Sequence, residues 1–240
     1  FPYTTLFRSA ENLTFSCMVQ PVFEEVFRTD YKLKGEWRNQ FFHNSNPIVL
    51  ELGCGRGEYT VALAERYPDK NFIGVDIKGA RMWRGAKTAT EQQMENVGFL
   101  RTRIEFIDSC FGPGEVDEIW ITFPDPQLRK SRVKKRLTAP DFLERYARFL
   151  RPGGTIHLKS DCRHLHDYTR AVAEGNLLPI EAANTDIYGT GFADELLSIK
   201  TTYEKRFLAQ GVPITYLRFR LDDRNTFDPI EFAPDEQLLG

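Results

Sequence analysis

The stretch that decides the fold reads IVLELGCGRGEYTVALAER and covers residues 48–66. Its first five residues, 48–52, are mostly β-branched or aliphatic, which is typical of a strand buried inside a sheet. Glycines then punctuate the chain, and residues 58–66 carry a pattern that predicts a helix. Because a strand, a glycine turn and a helix in this order open a βαβ unit, the stretch predicts an α/β protein with a mostly parallel sheet.

The same alternation of short apolar runs and helical patterns continues along the chain. Six further strands are predicted at residues 72–75, 97–100, 118–123, 155–159, 180–183 and 214–221. Helices are predicted at residues 81–94, 139–150, 165–173 and 202–210. The segment RPGG at 151–154 is expected to form a turn before the next strand. The sequence thus predicts a Rossmann-like, seven-stranded, mostly parallel sheet with helices on both faces.

Length and composition are those of one ordinary globular domain. The chain has 240 residues, of which 41% are hydrophobic and 28% charged, and this is not the composition of a disordered segment. Charged residues interrupt every apolar run before it reaches the roughly 18 to 20 residues of a membrane span. The four cysteines have neither the spacing of a zinc site nor the density of a disulfide scaffold, so we expect reduced thiols and a cytoplasmic protein.

We divide the chain into four parts. Residues 1–9 (FPYTTLFRS) resemble the in-frame translation of a sequencing-library adapter and are left out of the fold prediction. Residues 10–46 have no clear hydrophobic period and are interpreted as an N-terminal extension. Residues 47–221 form the predicted sheet domain, and residues 222–240 form a C-terminal tail.

Charge is distributed unevenly along the chain. Six basic residues without an intervening acid fall within eight positions, and we call them the basic strip: Arg129, Lys130, Arg132, Lys134, Lys135 and Arg136. Removing these six from the 32 basic residues leaves 26 against 34 acidic ones, a net charge of −8. A basic strip on an acidic body favours a polyanionic partner, although a charge run is also compatible with ordinary solvated surface.

The glycines after the first strand predict a nucleotide-like ligand. Their G-x-G-x-G spacing matches neither the dinucleotide fingerprint nor the P-loop. Glu51 precedes Gly53 and Gly55, and its carboxylate would repel a diphosphate but attract a sulfonium cation, which favours S-adenosylmethionine. Asp76 ends the second predicted strand, where an acid can accept hydrogen bonds from ribose hydroxyls. Since NAD enzymes also place an acid there, NAD remains the alternative.

A second motif, WITFPDP at residues 120–126, begins on the fourth predicted strand and leaves it through two prolines. The prolines fix the backbone and hold the carboxylate of Asp125 at the carboxyl edge of the sheet, where ligands bind. A proline-rich turn capped by an aspartate would look the same. The basic strip follows at once, however, so a rigid acidic group and a polyanion-binding patch are predicted side by side.

Taken together, these motifs resemble the tRNA (guanine-N7-)-methyltransferases, a family of class I S-adenosylmethionine-dependent enzymes. The resemblance covers about residues 34–221. It depends on the segments ELGCGRGEYT, FIGVDIKGAR, PGEVDEIWITFPDP, RLTAPDFLERYARFLRPGG, HLKSD and TTYEKRFLAQGVPITYLRF. It implies that residues 47–221 are a class I methyltransferase domain whose last strand is antiparallel. It also implies methyl transfer from S-adenosylmethionine to guanine N7 in tRNA, at position 46 of the variable loop.

The resemblance also assigns roles to individual residues. The family's cofactor positions fall on Glu51 and Asp76, and Asp125 is both a cofactor neighbour and the catalytic residue. Its tRNA contacts fall on Arg129, where the family usually has lysine, and on Asp161, Thr201, Thr202, Tyr203 and Glu204. One position departs from the pattern, since Arg103 stands where many members carry an acid that meets the adenine. Backbone groups around Arg103 and Ile104 are expected to replace it.

Purely structural roles are an alternative for residues in two of these segments. Thr201 and Glu204 suit a helix start, with the threonine capping the helix and the glutamate completing a capping box. Cys54, inside the glycine segment, is interpreted as a small residue that fits rather than as a nucleophile, because no histidine or other base is placed with it.

Two other function classes stay open. A methyltransferase acting on a small molecule or a protein would have the same cofactor motif, and the basic strip would then be incidental. A nicotinamide-dependent oxidoreductase fits less well, because of Glu51 and the glycine spacing. We expect tRNA as the partner and neither a metal nor a membrane, while a monomer and a homodimer are both compatible with the sequence.

Overall fold

The fold is known from a computed structural model that describes residues 2–232, with side chains from residue 5 onward. Residue 1 and residues 233–240, which include part of the predicted C-terminal tail, lie outside the described residues. The chain divides into two compact units, residues 1–118 and residues 119–240. No described helix has the length and apolar character that crossing a lipid bilayer requires.

The first unit carries parallel strands in the order β1-β4-β3-β2. Their bounds are Met18–Val19 (β1), Ile48–Leu52 (β2), Asn71–Asp76 (β3) and Val97–Arg101 (β4). Its helices are Pro2–Glu11 (α1), Phe23–Val26 (α2), Glu58–Arg66 (α3) and Gly79–Glu91 (α4), with a π-helical turn at Trp37–Phe42 and short 3₁₀ turns at Asn12–Thr14 and Ile104–Ser109. Every residue of β2 is buried, as the apolar run predicts.

The next strand, β5 (Val116–Thr122), leads into the second unit. There the strands are β6 (Leu150–Ser160), β7 (Ile180–Asn184) and β8 (Thr215–Arg220), and β8 is antiparallel to both β6 and β7. The helices are α5 (Pro140–Ala147), α6 (Arg163–Gly175) and α7 (Thr202–Ala209), and a 3₁₀ helix covers Lys130–Lys135. The expected α/β class, mostly parallel with an antiparallel last strand, is confirmed.

Two details of the predicted sheet are wrong. The sheet has eight strands rather than seven, because Met18 and Val19 pair with β4 in parallel. A strand of two residues has no periodicity from which it could be recognised. The expected turn at residues 151–154 belongs to β6, which begins at Leu150; Gly153 takes a φ of 72°, and the strand continues past the proline.

Candidate active site

In the first unit, the predicted cofactor residues gather at the carboxyl edge of the parallel strands. Glu51 lies in β2 opposite Gly74 of β3, and Asp76 ends β3 opposite Arg101 at the end of β4. Open α/β sheets bind ligands at this edge. The structure therefore brings Glu51 and Asp76 to the end of the sheet where a cofactor is expected.

Residues 53–57, which we call the glycine loop, connect β2 to α3. Gly53, Gly55 and Gly57 have φ values of 78°, 55° and 71°, a left-handed conformation that favours glycine. A Cβ atom added at Gly53 would meet nothing within 4 Å, whereas one at Gly57 would approach the ring of Phe99 to 2.5 Å. Gly53 thus borders open space that leaves room for a ligand, while Gly57 is required for packing.

Backbone amides of the glycine loop are already bound within the protein. The N–H groups of Gly53 and Cys54 donate to the Val75 carbonyl at 2.8 and 3.0 Å, and the Gly55 N–H donates to Asp76 Oδ2 at 2.9 Å. A diphosphate site needs such amides directed at the ligand. The loop is therefore unsuited to the diphosphate of a dinucleotide, which counts against the NAD alternative.

Two carboxylates give this edge its chemical character. Glu51 is buried, and its carboxylate accepts a hydrogen bond from the Thr60 hydroxyl. Asp76 is half-buried and also accepts from the Lys78 N–H at 2.8 Å, which fixes the orientation of its carboxylate. Carboxylates attract a sulfonium cation and accept hydrogen bonds from ribose hydroxyls. The open glycine loop and this donor set fit S-adenosylmethionine.

Arg103 and Ile104 follow β4, at the start of a 3₁₀ turn. The Arg103 side chain is exposed, donates to Glu105 at 3.3 Å and lies 5.8 Å from the Phe106 ring centroid. The guanidinium of Arg103 is therefore engaged on the surface of the protein.

Cys54 does not have the environment of a reactive thiol. Burial raises the pKa of its thiol well above the ordinary value, and the carboxylates of Glu51 and Asp76 raise it further. A thiol that stays protonated is a poor nucleophile. This agrees with the interpretation of Cys54 as a packing residue.

In the second unit, residues 123–127 form a rigid bend after β5 that we call the proline turn. Both ends of the turn are left-handed, with a φ of 48° at Phe123 and at Gln127. Residues other than glycine rarely adopt this conformation, and strain of this kind clusters at functional sites. Asp125 lies between them, exposed, with Oδ1 accepting from the Gln127 N–H at 3.0 Å.

The basic strip is split by the structure. Five of its members, including Arg129, are exposed around the 3₁₀ helix Lys130–Lys135. The sixth, Arg136, is only 2% exposed, so its inclusion in a surface strip is wrong. Its guanidinium is satisfied by carbonyl groups inside the unit, which a count of charges along the sequence cannot reveal.

The segment at 201–204 begins α7. Thr201 caps the helix as predicted, since its hydroxyl accepts from the Glu204 N–H at 3.1 Å. The predicted capping box is wrong, because the Glu204 carboxylate turns into the unit, where the Tyr188 hydroxyl donates to it at 2.6 Å. Tyr203 is exposed, and its ring centroid lies 5.9 Å from that of Phe123, which brings the proline turn and the start of α7 together.

Lys159 is a supporting residue that the sequence analysis did not single out. Its Nζ, fully buried, contacts both carboxylate oxygens of Glu204 at 2.8 and 2.9 Å and donates to the carbonyl groups of Leu197 and Ile199. Its own carbonyl accepts from the Phe123 N–H at 2.8 Å. Burial lowers the pKa of Lys159, and Glu204 opposes this shift. The signal that could have identified it was a lysine in the last position of the predicted strand 155–159.

Asp161 follows β6 and is half-buried. Burial raises the pKa of its carboxyl group above the ordinary value. Among the described residues, no group of three or more His, Cys, Asp or Glu side chains is arranged to hold a metal ion.

Comparisons with known proteins agree on one family. A family model with the description "Putative methyltransferase" matches residues 45–217. The tRNA (guanine-N(7)-)-methyltransferase of Christiangramia forsetii is 52% identical over 215 residues, which cover 89% of this chain and 96% of that protein. The enzyme of the same name from Porphyromonas gingivalis is 54% identical over 209 residues, 85% of each chain.

Solved structures support the fold. The crystal structure of the 16S rRNA methyltransferase KamB matches with a TM-score of 0.58 at 18% identity, and the match covers 77% of this chain and 92% of that one. Identity at this level establishes the shared architecture alone.

Proposed function

Because the chain belongs to the tRNA (guanine-N(7)-)-methyltransferase family, we propose that it transfers a methyl group from S-adenosylmethionine to guanine N7 in tRNA, at position 46 of the variable loop. The observation that carries the proposal is identity above 50% with such enzymes over more than four fifths of the chain. The exposed carboxylate of Asp125 on a rigid turn supports it from the structure.

The first unit supplies the cofactor residues. S-adenosylmethionine, when bound, supplies a methyl group that its sulfonium makes electrophilic. Glu51 would favour the cationic end of the molecule, and Asp76 would accept hydrogen bonds from its ribose. Gly53 and Gly55 leave room for the ligand beside the loop, and the backbone at 103–104 would meet the adenine.

The second unit supplies the acceptor residues. Guanine N7 has an in-plane lone pair and no proton to remove, so the task of the protein is mainly to position the base. The carboxylate of Asp125 would accept hydrogen bonds from the N1–H and N2–H groups of guanine. Its negative charge would also stabilise the positive charge that develops on the ring as N7 is methylated.

The tRNA backbone would be held by exposed groups of the second unit. Arg129 and its four exposed basic neighbours are suited to phosphates. Asp161, Thr201, Thr202 and the exposed Tyr203 would contact the nucleotide or its ribose. Glu204 would act from inside, by holding the start of α7 through Lys159.

We place this activity in the cytoplasm. The four cysteines, three of them buried, are free thiols, which suits a reducing compartment.

The direct test is to incubate the purified protein with S-adenosylmethionine labelled on its methyl group and an unmodified tRNA transcript carrying guanosine at position 46. The RNA is then digested and the labelled nucleoside identified. We expect label in 7-methylguanosine and none in the other nucleosides.

A transcript with adenosine at position 46 is the matched control. Loss of the label in this control supports the proposed position. Label retained in 7-methylguanosine would keep the reaction but reject the position. Absence of label from every nucleoside, with the cofactor bound, would reject tRNA as the substrate and favour a small molecule or protein acceptor.

A further inference from the structure

Arg136 differs from the rest of the basic strip in where its charge lies. Its five basic neighbours are exposed, whereas Arg136 is 2% exposed. A residue that binds backbone phosphate must present its charge to solvent when tRNA arrives. The guanidinium of Arg136 therefore serves another purpose.

The contacts of Arg136 are directed at the proline turn. Its Nε donates to the Pro126 carbonyl at 3.0 Å, and its Nη2 donates to the Gln127 carbonyl at 3.3 Å. The same Nη2 lies 3.2 Å from Nε2 of His164, and the guanidinium is 4.2 Å from the ring centroid of Tyr168. Among the described residues, the contacts of this guanidinium are carbonyl groups and rings rather than carboxylates, so the bonds to carbonyl groups compensate for its burial.

These bonds hold the backbone that orients Asp125. The Gln127 N–H donates to Asp125 Oδ1, and Gln127 is one of the two left-handed residues of the turn. Arg136 fixes the carbonyl group of the same residue. Both backbone polar groups of Gln127 are thus occupied, the carbonyl group by the guanidinium and the N–H by the carboxylate that the turn presents.

We infer that Arg136 is a positioning residue that sets the orientation of the Asp125 carboxylate through the backbone of Pro126 and Gln127, and is not a ligand of tRNA phosphate. This inference rests on the proposed function, in which Asp125 meets the guanine. A small displacement of a catalytic group costs turnover rather than substrate affinity, so the two roles predict different kinetics.

The test compares Arg136→Gln with Lys135→Gln. The two variants lose one positive charge each at adjacent positions, one buried and one exposed. For each we would measure kcat, KM for tRNA and the slope of log kcat/KM against log salt concentration. Melting temperatures and S-adenosylmethionine affinities would be recorded as well, and all assays run at least 10 °C below the lowest melting temperature.

For Arg136→Gln we expect kcat to fall by about 10- to 100-fold. KM should stay within about twofold, and the salt slope should be unchanged. For Lys135→Gln we expect KM to rise and the salt slope to become shallower by about 1, the loss of one phosphate contact. Arg136→Lys, which keeps the charge but not the forked geometry, should behave like Arg136→Gln.

A raised KM and a shallower salt slope in Arg136→Gln would overturn the inference, because they would make Arg136 a phosphate ligand. Wild-type kcat in folded Arg136→Gln or Arg136→Lys would also overturn it, because the residue would then be merely structural. Failure of the wild-type protein to form 7-methylguanosine would instead reject the proposed function.

Discussion

The glycine loop and the proline turn present functional groups by different physical means. The glycine loop is held by its backbone amides, which donate to Val75 and Asp76, and by a glycine packed tightly against Phe99. The proline turn is held by the carbonyl group of Lys159 at one end and by the buried guanidinium of Arg136 at the other.

The two regions differ in the kind of group that supports them. In the glycine loop, the supports are a main-chain carbonyl group, an apolar ring and Asp76, which is itself a predicted cofactor residue. In the proline turn, the supports belong to two buried basic residues, and one of them, Arg136, resembles a ligand of tRNA in the sequence. The two regions should therefore respond differently to substitution.

The largest effect is expected from the buried ion pair beneath the proline turn. Lys159→Met leaves the Glu204 carboxylate buried without its ammonium partner, and this should lower the free energy of unfolding by about 4 kcal/mol. The double variant Lys159→Met, Glu204→Met removes the stranded charge and should recover part of that loss. Urea unfolding measures the free energy of unfolding of the single and the double variant. A double variant less stable than Lys159→Met would show that the pair does not act as a unit.

The proposed catalytic carboxylate, Asp125, gives the next effect. Asp125→Asn keeps the shape of the side chain but removes the charge, and we expect kcat to fall by about 100-fold while S-adenosylmethionine affinity changes by less than about threefold. Single-turnover methylation and cofactor titration provide the two values. Normal turnover in this variant would remove Asp125 from the catalytic role.

The glycine loop offers a matched pair of substitutions. Gly57→Ala combines an unfavourable φ with a Cβ close to Phe99, and should lower the free energy of unfolding by about 3 kcal/mol. Gly53→Ala has the φ strain alone, about 1 kcal/mol, but should weaken S-adenosylmethionine binding. Thermal unfolding and cofactor titration separate the two effects. Equal destabilisation by both variants would contradict the distinction between Gly57, which is required for packing, and Gly53, which borders the ligand.

The smallest effect concerns Asp161. Because burial raises the pKa of its carboxyl group, the protonated form favours folding, and stability is lost as pH rises through that pKa. Asp161→Asn should therefore raise the melting temperature by about 2 °C at pH 7, with the gain disappearing in acid, while tRNA methylation falls. If Asp161→Asn were less stable than the wild-type protein at pH 7, burial of the ionised Asp161 carboxylate would not be destabilising.

Local patterns predicted much of the fold. The helix Glu58–Arg66 has the predicted bounds, because glycines and an acidic first turn mark its start and a basic residue its last turn. The strand Ile48–Leu52 also matches, since a buried parallel strand is apolar throughout. These features depend on neighbours in sequence.

The supports of the proline turn were not predictable in this way. Arg136 and Glu204 stand in segments that the sequence analysis assigned to tRNA, and both are buried by partners far along the chain. Charge patterns indicate that ionised groups are present but not which way they face. Only the tertiary contacts with His164, Tyr188 and Lys159 decide that.

The two left-handed residues that bound the proline turn have an energetic consequence. Each costs the folded chain on the order of 1 kcal/mol, and the bonds from Arg136 and Lys159 offset that cost when the protein folds. In the proposed reaction, the acceptor base would then meet a carboxylate whose orientation is already fixed. The free energy needed to hold the turn in this conformation is thus supplied once, when the protein folds, and not each time a substrate binds.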